Sequence, residues 1–151
     1  MKAELIQFIS RFEGCRLEMY LDVAGRKTIG YGHLILSTDN IPDSISLEAA
    51  QNLLWYDLAK AMNAVRDIIT VGLTDNQFIA LTDFCYNLGP SCLQRSQLRL
   101  RLNRGDYLGA ANAFPLYNHA AGHVFAGLTR RRNAEKKLFL TQEEEENAQT
   151  D

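Results

Sequence analysis

The chain has 151 residues and a formal charge of −2, with 46% hydrophobic and 23% charged residues and only 10 Gly and 3 Pro. That balance excludes disordered and fibrous chains and fits one soluble domain able to bury a core. No run approaches the roughly 18 apolar residues of a membrane span, and Glu4, Gln7 and Arg11 interrupt the N-terminal apolar pattern, so no signal-peptide core is expected and synthesis and folding are expected in the cytosol.

Leu5, Phe8, Ile9 and Phe12 recur at helical spacing and predict a helix over residues 2–13. From Arg16 to Ile35 the chain is rich in β-formers and glycine, which predicts two or three short strands with a tight turn at Ala24-Gly25-Arg26. Residues 37–46 read as a polar loop. Ser46 can cap a long helix carrying Leu47, Leu54, Leu58, Met62, Val65 and Ile69 on its apolar face. Thr74 and Gln77 form a capping box for the next helix, which ends at Gly89-Pro90. Further helices are expected at about 93–103, at 107–114 capped by Asp106, and at 130–140 capped by Thr129. The predicted class is α+β. One domain spans 1–151, with a small β-containing lobe at about 14–45, a helical lobe from 1–13 and 46–140, and an acidic tail over 141–151. Five acidic residues, Glu143 to Glu146 and Asp151, lie at that end; without them the body carries 16 basic against 13 acidic residues and favours a polyanionic partner.

Three cysteines, Cys15, Cys85 and Cys92, are an odd number without metal-type spacing and predict free thiols. His119 and His123 are four apart, as two ligands on one helix face would be, but no third ligand is nearby and no metal is expected. Trp55, Phe78, Phe84, Phe114 and Phe125 read as core.

The densest cluster of polar residues among turn-formers runs from Glu13 to His33. Glu13 stands at the end of the first helix, where the negative end of the dipole favours a protonated carboxyl, the form a general acid needs. Asp22 follows in the strand region and Thr28 six residues later; a folded-back hairpin can bring the three together. Spacing alone favours the plainer arrangement, in which Glu13 pairs with Arg16 and Asp22 shapes a turn.

The surrounding residues carry a resemblance. Arg11-Phe12-Glu13-Gly14, Leu17, Tyr20, Asp22 and Thr28-Ile29-Gly30-Tyr31-Gly32-His33 resemble the phage-type lysozymes, glycoside hydrolase family 24. Tyr86-Asn87-Leu88-Gly89 and Gly127-Leu128-Thr129-Arg130-Arg131-Arg132, followed by Glu135 and Phe139, continue it in family order over about residues 5–140. The resemblance implies a lysozyme-like fold with its cleft between the two lobes, and a catalytic set of Glu13 as general acid, Asp22 as the carboxylate that activates water or stabilises the sugar cation, and Thr28 as a holder of that water. It also implies supporting or substrate-binding roles for Tyr31, Asn87 and Arg131, with Arg131 the best match to an arginine close to the catalytic glutamate and Arg130 and Arg132 the alternatives, and a structural pair between His33 and Asp57. Asn87 can equally cap the turn before Gly89. Cations in the first turn of the last helix oppose its dipole, a mismatch that points to function for the Arg130–Arg132 run.

The activity implied is a muramidase, cleaving the β-1,4 bond between N-acetylmuramic acid and N-acetylglucosamine, inverting and free of cofactors. Bacterial peptidoglycan is the partner, with no nucleic acid, no stable membrane insertion, a monomeric state, and holin-dependent release from the producing cell's cytoplasm to the wall. A peptidoglycan-binding protein without turnover, and a lytic transglycosylase, are the competing readings; retention of Glu13, Asp22 and Thr28 together counts against both.

Overall fold

A computed structural model describes residues 1–142. The acidic run at 143–151 expected as a tail lies outside the described residues. The chain divides into two compact units, residues 1–63 and residues 64 onward, each with its own core.

The first unit opens with α1 (Lys2–Ser10), whose Leu5, Ile6, Phe8 and Ile9 are buried. The helix stops three residues sooner than its apolar spacing predicts. The amides of Phe12 and Glu13 both turn back to the Ile9 carbonyl, at 3.0 and 3.2 Å, and close the end of the helix in a tight turn. A three-stranded antiparallel sheet follows, in the order β1 (Arg16–Leu21), β2 (Lys27–Gly30), β3 (His33–Leu34). Its register pairs Tyr20 with Thr28 and Leu21 with Lys27, then shifts so that Arg16 faces Gly30. The extra β1 residues in that bulge find backbone partners on the other side: Met19 donates to the Asp43 carbonyl and Ile45 to the Leu17 carbonyl. Gly30, where β2 ends beside Ala50 of α2 (Leu47–Ile68), has φ +67°, a left-handed backbone that glycine adopts without strain. The Ser46 hydroxyl accepts from the Ala49 amide at 3.1 Å and caps α2.

The second unit is built around α3 (Asp75–Leu88), which is buried all round from Phe78 to Cys85. Both bonds of its capping box form: the Gln77 amide to Thr74 Oγ1 and the Thr74 amide to Gln77 Oε1, at 3.1 and 3.0 Å. Phe84 meets Phe114 and Tyr117 edge-on, with centroids 5.7 and 5.2 Å apart, and Phe114 meets Phe139.

The helix expected over 93–103 is two helices, α4 (Pro90–Arg95) and α5 (Gln97–Leu102). Ser96 divides them, because its hydroxyl donates to the Leu93 carbonyl and accepts from the Arg99 amide, ending one helix and capping the next. Pro90 begins α4, in the first-turn position that needs no amide donor. Asp106 caps α6 (Tyr107–Ala113) through the Gly109 amide, and a 3-10 turn follows at Phe114–Leu116.

A second small sheet, β4 (His119–Ala120) with β5 (His123–Val124), precedes α7 (Ala126–Leu140). His119 pairs with Val124 and Ala120 with His123, so the two histidines leave opposite faces of a ribbon and share no helix face. Phe125 is exposed, contrary to the core expected for it. Thr129 is not a cap: α7 begins at Ala126, and the Thr129 hydroxyl donates to the Phe125 carbonyl one turn back.

The hairpin tip holds Ala121 at φ +50° and Gly122 at φ +78°, the mirror-image turn that asparagine followed by glycine adopts with least strain. Ala121→Asn is expected to stabilise the protein by about 0.5–1 kcal/mol, read as a raised melting temperature; no rise would mean the ribbon does not hold this turn in solution.

Candidate active site

Glu13 stands in the turn after α1, half-buried, its backbone fixed by the bond to Ile9. Two residues on, the Cys15 thiol bonds the Tyr31 phenol; burial first, then this thiol, pushes the phenol up from its ordinary range. Tyr31 itself is buried at the end of β2.

Asp22 follows directly on β1 and shapes the turn. Its Oδ1 accepts from the amides of Ala24 and Arg26, and its Oδ2 from Arg26 Nε, each at 2.9 Å. The Arg26 amide, helped by the Arg26 guanidinium and the Ala24 amide, holds the carboxyl below the usual carboxylate range against a partial desolvation penalty. Thr28 is buried in β2, and its hydroxyl donates to the Arg26 carbonyl at 2.9 Å; the Asp22 amide donates to that same carbonyl. Strand alternation places Asp22 on the face of Tyr20, and Tyr20 pairs with Thr28. Arg26, which the sequence did not single out, therefore ties Asp22 and Thr28 into one construction; an aspartate four residues before an arginine across a glycine turn is its signal. Asp22 takes the turn-shaping role that its spacing allowed.

His33 Nδ1 lies 2.9 and 2.8 Å from the two Asp57 carboxylate oxygens, tying β3 to α2. Asp39 sits 3.7 Å from its Nε2. The carboxylate at Nδ1 places the ring proton there.

In the second unit Arg131 and Arg132 are buried, inside a network with carboxylates that the sequence did not reveal. Arg131 holds Asp83 by a fork of two bonds, Nε to Oδ2 at 3.0 Å and Nη2 to Oδ1 at 2.6 Å. Arg132 donates through Nη2 to Glu135 Oε1 at 2.6 Å and to Asn87 Oδ1 at 2.9 Å, and lies over the Phe84 ring. The Asn87 carbonyl oxygen is thus held by an arginine, which orients its amide nitrogen as a donor. Because α7 begins at Ala126, the arginines stand beyond its first turn and the expected clash with the helix dipole lapses; buried Asp83 and Glu135 account for them. Asp83 carries the signal that was missed, a lone carboxylate inside the apolar run of α3.

The family model described as phage lysozyme matches residues 10–135. The endolysin of Bacillus phage B103 is 41% identical over 141 residues, covering 91% of this chain and 53% of that protein. The chain therefore spans about half the length of that relative. Two solved structures match nearly end to end. The muramidase domain of SpmX from Asticaccaulis excentricus is 36% identical with a TM-score of 0.81, covering 92% of this chain and 96% of that one. A lysozyme variant of phage P22 is 32% identical with a TM-score of 0.84, covering 92% and 97%. The chain belongs to the phage lysozyme family.

This member of the phage lysozyme family has the α+β fold expected of it. Its buried network has a pH signature of its own. Burial first, and then the hydrogen bond and negative charge of Asp83, push the Glu135 carboxyl well above its ordinary range; Arg132 pulls the other way but does not prevail. A carboxyl raised in the folded state contributes stability that is fully present below its unfolded pKa and is lost as pH rises toward the folded one. Stability is therefore expected to fall by up to about 1.4 kcal/mol per pH unit on raising the pH above the ordinary glutamate range. Glu135→Gln, which keeps the oxygen for Arg132 and carries an N–H in place of the acid proton, is expected to flatten that slope. Denaturant titrations of both proteins across pH check it, and parallel slopes would mean that Glu135 is charged in the folded state.

Proposed function

We propose that the chain is a muramidase of the endolysin type, hydrolysing the β-1,4 bond between N-acetylmuramic acid and N-acetylglucosamine in bacterial peptidoglycan with inversion at the anomeric carbon. The arrangement of Asp22, Arg26 and Thr28 carries this reading. Asp22 is held as an anion by two amides and a guanidinium, so it is unsuited to give up a proton and suited to orient a water or to face a sugar cation. The Thr28 proton is committed to the Arg26 carbonyl, which leaves the hydroxyl oxygen as an acceptor for one hydrogen of a water.

Glu13, in the turn after α1, gives its proton to the glycosidic oxygen as that bond breaks. Water held by Thr28 and oriented by Asp22 attacks the anomeric carbon. Tyr31, Asn87 and Arg131 support the substrate, and the His33–Asp57 pair holds the sheet on α2. The protein works as a monomer, is made in the producing cell's cytoplasm and reaches the wall by holin-dependent release. Among the described residues no helix is long and apolar enough to cross a membrane.

Digestion of purified sacculi, with mass spectrometry of the released muropeptides and NMR of the first-formed anomer, tests the reaction. Reducing N-acetylmuramic acid ends in the α configuration are expected. Anhydro ends would make the protein a transglycosylase, β-anomers a retaining enzyme, and binding without release a wall-binding protein.

A further inference from the structure

Between Asp83 and Asp106 the sequence holds four arginines, Arg95, Arg99, Arg101 and Arg104, and no aspartate or glutamate. They fall on α4, α5 and the turn after it, over buried Leu93, Leu98 and Leu102. Arg95, Arg101 and Arg104 are exposed and Arg99 is half-buried. Among the described residues none of the four pairs with a carboxylate. Of the other arginines, Arg26, Arg131 and Arg132 each hold a carboxyl group and Arg11, Arg16 and Arg66 lie over aromatic rings, while Arg130 is exposed on α7. Asp106, the first acid after the stretch, accepts from the Gly109 amide at Oδ1. Arg99 is already fixed, its Nε donating to the Gln94 carbonyl at 2.9 Å beside Arg95. A groove of about 380 Å³, lined by Ile68, Pro90, Ser91, Gln94 and Arg95, opens at the same place.

Four like charges on two short helices and the turn after them repel one another, which no packing requirement of this segment explains. A guanidinium takes a carboxylate in a two-bond fork, so the segment is matched to a polymer bearing many carboxylates. We propose that Arg95, Arg99, Arg101 and Arg104 form a second contact surface, in the second unit, for the stem-peptide carboxylates of the wall. Its ligand rests on the muramidase reading. The groove beside Arg95 gives the peptide a place to lie, and the arginines raise the local concentration of substrate without taking part in the cleavage.

The test is co-sedimentation with sacculi of Glu13→Gln protein, which needs no turnover, beside the same protein carrying Arg95→Gln, Arg101→Gln and Arg104→Gln. The triple substitution is expected to weaken binding roughly five-fold or more at low salt and to flatten its salt dependence, as loss of screened surface charges does. Sacculi whose carboxylates have been amidated should bind the parent as weakly as the variant. An unchanged melting temperature of the triple variant shows that the fold is intact. Equal binding and equal salt response in the two proteins overturn the proposal. So does unchanged parent binding to amidated sacculi, or a charge-dependent loss seen only on anionic phospholipid vesicles. Failure of wild-type protein to release reducing ends sinks the muramidase reading separately.

Discussion

Glu13→Gln is expected to lower the rate of sacculus cleavage by about 10²–10⁴-fold, the range that one positioned general acid supplies. The substitution keeps the size of the side chain and an oxygen acceptor while removing the transferable proton. Binding to sacculi should survive, so the loss is expected in kcat with KM little changed, the pattern of an interaction made in the transition state. Asp22 gives no substitute acid. Its bonds to Ala24 and Arg26 hold it ionised, with its stabilising contribution present above the ordinary aspartate range and lost only as pH falls below it. Rescue of the variant by pH is therefore not expected. Steady-state release of reducing ends from sacculi checks this, and a variant within ten-fold of wild type would remove Glu13 from the role of acid.

Arg131→Met is expected to cost about 3–5 kcal/mol of stability, as breaking a buried ion pair from one side does. The Asp83 side chain has no solvent exposure and Arg131 only 6%, so removing the guanidinium leaves a buried carboxylate without its fork of donors. For a chain of this size that corresponds to a melting temperature lower by roughly 8–15 °C. Asp83→Leu made together with Arg131→Met should recover much of the loss, because the penalty comes from the stranded charge rather than from any net gain of the pair. A loss below about 1 kcal/mol in the single variant would show that water reaches Asp83 in solution.

Both effects trace to features of unequal legibility in the sequence. The hairpin of Asp22 and Thr28 was readable because a glycine turn, β-formers and a compact cluster of polar residues coincide within twenty residues. α3 was readable because Thr74 and Gln77 announce its start and Gly89 its end. The ribbon at His119–Val124 was not, since two-residue strands with every side chain exposed carry no hydrophobic period. The start of α7 was missed for a related reason: Phe125-Ala126-Gly127-Leu128 combines a glycine with an exposed aromatic and lacks a side-chain cap. The arginine network lay beyond reach because its acids come from Asp83, 48 residues away in the chain, and from Glu135 on the same helix. Only packing of α3 against α7 brings them together.

The Asp22–Arg26 turn also bears on how this chain can change over time. Exposed loop tips are where insertions and deletions are ordinarily tolerated, and Val23, Ala24 and Gly25 are all exposed. Here the tip is also the ruler that sets Asp22 against Thr28, through one carboxylate and one carbonyl shared across five residues. Val23 can be exchanged for almost any side chain, yet one residue more or fewer would move the anion off its amides and the hydroxyl off its carbonyl together. Descendants of this sequence are expected to vary in the letters of that loop and not in its length.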